Sequence, residues 1–113
     1  MAKIIDPGQA QSMIQEFRKQ NKAAGEHALK TPDGKNLNGS FLDRESLENI
    51  LKDPKVAGIH VYLAKHPDVA GKTQNVHTLV YSGSVPNTAT GAATPYTSVG
   101  AMYGSDPCPP WCG

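Results

Sequence analysis

Both cysteines of the chain, its only tryptophan and two of its nine prolines fall in the last six residues, Cys108-Pro109-Pro110-Trp111-Cys112-Gly113. A C-x-x-x-C pair supports three chemistries: a disulfide, half of a metal site, or a redox-active thiol pair. A disulfide needs Cα atoms about 4.4–6.8 Å apart, whereas four residues of polyproline-type extension would separate them by roughly 12 Å. The chain must therefore turn inside the motif. Cys108 and Pro109 each precede a proline and are biased towards extended backbone. The bend is thus assigned to Pro110-Trp111, with Pro110 at the first corner of a β-turn or behind a cis bond.

The other two chemistries ask for more than the motif supplies. Low-pKa redox cysteines sit at a helix N-terminus, where backbone N–H groups stabilise the thiolate. Only Gly113 follows Cys112, so no such helix is expected. Zinc needs two further ligands beyond Cys108 and Cys112. The candidates are His66 and His77, at one end of an expected hairpin, or His60 on its opposite face. No cofactor other than zinc is suggested. A polar hairpin face carrying His60, Tyr62 and Thr78 is the remaining arrangement an enzyme could use. No catalytic residue is assigned, because neither G-x-S-x-G nor H-E-x-x-H occurs. Ser82-Gly83-Ser84 lacks the lysine and following helix of a phosphate-binding loop and reads as a strand exit.

Three stretches of one 113-residue domain must position these residues. The first, 1–36, opens with Asp6-Pro7, an N-cap followed by a proline at the first turn. Ala10, Met13, Ile14, Phe17 and Ala24 recur at helical spacing opposite Gln11, Gln15, Arg18, Lys19 and Lys22, predicting an amphipathic helix of roughly 17 residues that stops at Gly25. Arg18, Lys19 and Lys22 read as a solvated edge. Residues 26–36, with the turn Thr31-Pro32-Asp33-Gly34, read as an exposed connection containing a solvated His27.

The second stretch, 37–82, is the expected core. Asp43 is positioned as an N-cap, Leu42 and Leu47 as a hydrophobic staple, and Leu47, Ile50 and Leu51 as the inner face of a helix ended by Asp53-Pro54. Strands are predicted over Gly58–Ala64 and Val76–Tyr81, joined by a connection containing Pro67 and Gly71, as a long-looped antiparallel hairpin. With Ala64 paired near Val76, one face carries Ile59, Val61, Leu63, His77, Leu79 and Tyr81 and is expected to meet the helices. His60, Tyr62, Thr78 and Val80 take the other.

The third stretch, 83–113, holds one charged residue, Asp106, in 31 positions, against twenty in the preceding 82. Disordered tails stay in solution with far more charge than that. Val85, Tyr96, Val99, Met102, Tyr103 and Trp111 give the segment apolar points with which to cover its own domain, adding one or two short strands, or to dock on a partner. Tyr103 and Trp111 are the candidate binding residues.

Phe41-Leu42-Asp43-Arg44-Glu45-Ser46-Leu47, the strand Gly58–Ala64, Thr78-Leu79-Val80 and the terminal Cys-Pro-Pro-Trp-Cys together resemble a group of small uncharacterised bacterial proteins with a C-terminal Cys-Pro-Pro-x-Cys ending. The resemblance spans roughly residues 37–113 and implies that the tail belongs to the plan of the fold. It brings no known activity and no site residues.

The expected fold class is α+β, with two N-terminal helices packed on a small antiparallel sheet and a long irregular C-terminal segment. A net charge of +1 provides no field for nucleic acid or anionic lipid. No 18-residue apolar run or signal-like leader is present, so no membrane partner and a cytoplasmic location are expected. The expected function is a non-enzymatic interaction module with a protein partner or self-association. The alternative is a thiol- or zinc-dependent protein using Cys108 and Cys112.

Overall fold

In a computed structural model, which describes residues 2–65, 76–88 and 94–112, two α-helices and five antiparallel strands follow in an α+β order. Helix α1 spans Pro7–Ala23, strand β1 Gly39–Phe41 and helix α2 Arg44–Leu51. Strands β2 (Gly58–Lys65), β3 (His77–Pro86), β4 (Tyr96–Gly104) and β5 (Asp106–Cys108) complete it. The sheet β2-β3-β4 has β3 at its centre, and β1 pairs separately with β5. Among the described residues, no helix is long and apolar enough to cross a membrane.

Helix α1 begins and ends where the sequence places it. The Asp6 carboxylate accepts the Gln9 N–H at 3.1 Å, Pro7 opens the first turn, and a short 3-10 turn, Gly25–His27, follows. Its apolar face does not lie in the core. Met13, Ile14 and Phe17 are about half exposed, and Asn21 is the buried residue of the helix.

Asn21 also corrects the reading of 26–36 as an exposed connection. Its Nδ2 donates to the carbonyl oxygens of Leu29 (3.1 Å) and Leu37 (3.3 Å), and its Oδ1 accepts the Leu29 N–H at 2.8 Å. These bonds satisfy backbone groups that would otherwise need water, so the loop can be buried. Ala28 and Thr31 are inaccessible, while the turn at Thr31–Gly34 forms as expected. Thr31 Oγ1 accepts the Lys35 N–H at 3.1 Å and donates to the Asp33 carboxylate. The His77 N–H bonded to Lys30 O ties this connection to β3, and just beyond it the Asn38 N–H bonded to Cys108 O ties the chain to β5. His27 is solvent exposed, as expected, beside Glu26.

The hairpin pairs Ala64 with Thr78, two residues from the expected register. A two-residue shift preserves the alternation, so Val61 faces Tyr81 and Leu63 faces Leu79 on one side of the sheet, and His60 faces Ser82 on the other. The first side meets α2 at Tyr81, but Val61 and Leu63 at the far end of β2 stay exposed. The connection containing Pro67 and Gly71 lies outside the described residues.

Ser82-Gly83-Ser84 is not a strand exit. It is the buried middle of the central strand, and β4 pairs along it from within the uncharged segment. Glycine is required at 83 by the approach of α2: a Cβ there would lie 2.9 Å from Ile50 Cγ2 and 3.1 Å from a Val56 methyl. The β3-β4 register shifts between Tyr81 and Gly83, and Gly100 at φ 76 takes up the irregularity on β4.

Asp43 occupies the N-cap position of α2, but its side chain makes no capping bond to backbone. It accepts from the Ser46 hydroxyl instead. Ser46 in turn shares a 2.5 Å hydrogen bond with the buried Tyr81 hydroxyl, which also reaches Asp43 Oδ1 at 3.4 Å. The Ser46 hydrogen bond is the main reason that the Asp43 carboxyl lies below its ordinary value of 3.8, against an opposing effect of burial. The Thr31 hydroxyl does the same for Asp33, helped by Lys35.

Gly83→Ala is expected to destabilise the fold by about 1–3 kcal/mol through overpacking, measured by urea unfolding; Gly58→Ala, where a Cβ meets nothing within 4 Å, serves as the neutral control. Because the folded pKa values of Asp43 and Asp33 are depressed, their contribution is complete above the ordinary carboxylate range and is lost as pH falls through the lower folded values. The thermal midpoint should therefore drop between about pH 5 and pH 2, and drop less steeply in Asp43→Asn.

Candidate functional sites

The terminal motif closes on itself and on β1. Cys108 and Cys112 form a disulfide with Cα atoms 4.8 Å apart. The Cys108-Pro109 and Pro109-Pro110 peptide bonds are both cis, and the Trp111 N–H returns to Pro107 O at 2.9 Å. Cys108 is buried and stands opposite Gly39 in the β1-β5 pair, so the closed loop hangs from the edge of that ribbon. In the chain-entropy account, a loop this short contributes about 2 kcal/mol.

Trp111 lies on Phe41 of β1, with ring centroids 5.9 Å apart and the planes 24° from parallel. Both rings remain about half exposed. Phe41 continues into a concavity of about 420 Å³ with Leu42, Leu47 and Leu51, bordered by Arg44 and Glu48. Helix α2 thus has two apolar sides: Ser46 and Ile50 are buried, whereas Leu51 is exposed and Leu47 half-buried. The expected staple residues, Leu42 and Leu47, line the same concavity.

The second candidate binding residue, Tyr103, is elsewhere. It stacks on Tyr81 at 5.7 Å and is half-buried under α2, so Tyr103 and Trp111 do not share a surface. Among the described residues, the zinc set is not assembled either. Both sulfurs are joined to each other, so either can ligate a metal only after reduction. His77 opens β3 opposite Lys65, and His66 lies outside the described residues. Among the described residues, no group of three or more His, Cys, Asp or Glu side chains is placed to hold a metal ion.

The sheet face turned away from α2 carries the other arrangement. His60 and Tyr62 stack with centroids 4.4 Å apart and planes 4° from parallel. The Tyr62 hydroxyl shares a 2.6 Å hydrogen bond with Ser98 Oγ on β4, so its side chain crosses over β3. On that face β3 presents Ser82 and Ser84, both buried, with neither hydroxyl hydrogen-bonded. A cleft of about 420 Å³ lies beside the stack, lined by Gly58, His60, Tyr62, Ser84, Pro95 and Tyr96 among others.

Thr78, expected on this site, is opposite Ala64 and does not line the cleft. Although His60 faces Ser82, the serine hydroxyl has no hydrogen-bond partner, so the base-to-nucleophile contact of covalent catalysis is not formed. Sequence reading missed Ser82, Ser84, Ser98 and Gly58 here, and Phe41 at the other site. Strand parity carries a signal for the serines, whereas nothing in the sequence links Phe41 to Trp111.

No known protein family, curated protein or solved structure matches the chain.

The disulfide makes a direct prediction: denatured without reductant, the chain should take up no alkylating reagent, and after reduction it should take up two equivalents, one per cysteine, read by intact mass.

Proposed function

We propose that the protein is a non-enzymatic interaction module whose docking face is formed by Trp111, Phe41, Leu42, Leu47 and Leu51, and that α1 of a second copy occupies it. The observation that carries this reading is the half-exposure, in one chain, of two apolar surfaces of matching kind. One is the stripe Met13, Ile14 and Phe17 on α1; the other is the concavity beside the Trp111-Phe41 stack.

An amphipathic helix draws most of its stability from packing its apolar face, and a groove lined by leucine and aromatic side chains is the usual seat for one. Full burial of a large apolar side chain contributes roughly 1.5–3 kcal/mol, so half-exposed residues retain about half of that for an interface. Trp111 is a suitable anchor because the disulfide loop and the Phe41 ring hold it in place before binding. The charges on the rim of the groove, Arg44 and Glu48, pair with each other at 3.1 Å, so the rim carries no net charge and the seat is set by its apolar lining.

In this reading the C-terminal segment has both expected roles. Strands β4 and β5 cover their own domain, and the terminal loop presents the anchor. The thiol and zinc alternative belongs to the reduced chain. A standing disulfide also bears on location, since a reducing cytosol keeps such pairs open; an oxidising compartment suits the docking reading better than the cytoplasmic expectation.

Wild-type protein is expected to be dimeric in light scattering at tens of micromolar. Phe17→Asp on α1 and Leu51→Asp on α2 should each shift it to monomer with an unchanged far-ultraviolet spectrum. A wild-type protein that is monomeric throughout the accessible concentration range would overturn the self-docking reading.

A further inference from the structure

We infer that the cleft on the face of the sheet opposite α2 binds a small, uncharged, planar aromatic or heteroaromatic molecule, held as a third ring beside the His60-Tyr62 stack. Side chains two residues apart on a strand share a face, so Gly58, His60 and Tyr62 form one row along β2. Two places of the row hold parallel rings, and the third holds no side chain. A Cβ built on Gly58 would meet nothing within 4 Å, so that place is open space rather than a packing requirement. The cleft extends over it, between the ring stack and Pro95-Tyr96.

The polar groups indicate what the ring should carry. Ser84 is the cross-strand partner of Gly58, lines the cleft, is buried and has no hydrogen-bond partner for its hydroxyl. A buried hydroxyl left unpaired is costly, and a χ1 rotation towards a donor or acceptor on the edge of a ligand removes that cost. On the next strand Ser98 faces Ser84, but its hydroxyl is already engaged by Tyr62. No Asp, Glu, Lys or Arg lines the cleft among the described residues, so nothing there selects a charged ligand. A volume of about 420 Å³ suits a one- or two-ring molecule rather than a polymer. This site is separate from the docking face and does not depend on it.

The test uses the full chain, labelled with nitrogen-15, and phenol, indole and adenine as planar compounds, with cyclohexanol as the non-planar hydroxyl control. The planar compounds are expected to shift the amides of Gly58, His60, Ser84 and Tyr96 together, with cyclohexanol at least 10-fold weaker. Gly58→Leu, which fills the open place, should weaken planar binding at least 10-fold while retaining the wild-type melting curve. Ser84→Ala should weaken phenol and adenine several-fold, and because it only deletes an unpaired hydroxyl it keeps the test decisive if Gly58→Leu fails to fold. Equal binding of cyclohexanol, shifts scattered away from these residues, or unchanged affinity in Ser84→Ala or in a folded Gly58→Leu would each overturn the inference.

Discussion

The rest of the molecule follows from how closely α2 lies on the central strand at Gly83. The missing side chain lets Ile50 and Val56 come within a methyl's distance of the β3 backbone, and the short side chain of Ser46 lets Tyr81 bring its hydroxyl under the helix. Packing of this kind tolerates little change in volume, which fixes the helix in rotation as well as position. Once Ser46 and Ile50 are committed to the sheet, Leu47 and Leu51 must point elsewhere, because residues one position apart on a helix do not share a face. Phe41, the last residue of β1, arrives beside them three positions before α2 begins.

The same commitment divides the sheet. One face is occupied by α2, and the other is left to side chains of the strands themselves, where Tyr62 reaches across β3 to Ser98 and shields the serines beneath it. The two candidate sites therefore lie on different parts of the fold for one reason. The proposed docking face uses the outward side of α2, and the proposed ring cleft uses the sheet surface that α2 does not reach. The disulfide loop belongs with the first: it hangs from β5, whose pairing with β1 carries Trp111 to Phe41.

Where a local rule decides the structure, the sequence was readable. Asp6-Pro7 and Gly25 bracket α1, Asp53-Pro54 closes α2, and strand parity assigns the correct faces although the register differs by two residues. Reading fails where a polar or small residue is used against its usual environment. Asn21 on a helix scores as surface, yet its amide satisfies the loop backbone and permits burial of Ala28 and Thr31. Ser82-Gly83-Ser84 reads as a strand exit, yet a helix pressing on the strand needs that glycine. That the chain turns inside the cysteine motif was legible from proline geometry, but the turn falls at Pro109-Pro110, one residue earlier than assigned, and the Phe41-Trp111 contact depends on the pairing of β1 with β5, some 67 residues apart at Ser40 and Pro107 and invisible to local pattern. The stripe of α1 is the case in which amphipathic pattern and helix boundaries were right, while the apolar face, expected against the sheet, is left about half exposed.

That stripe is where the account can be tested most directly. Amide hydrogen exchange across α1 should be followed at several protein concentrations, with β3 as the internal reference. If the apolar face of α1 docks beside Trp111 of a second copy, protection of residues 7–23 should rise with concentration while that of β3 stays constant. Protection of α1 that is independent of concentration would contradict it.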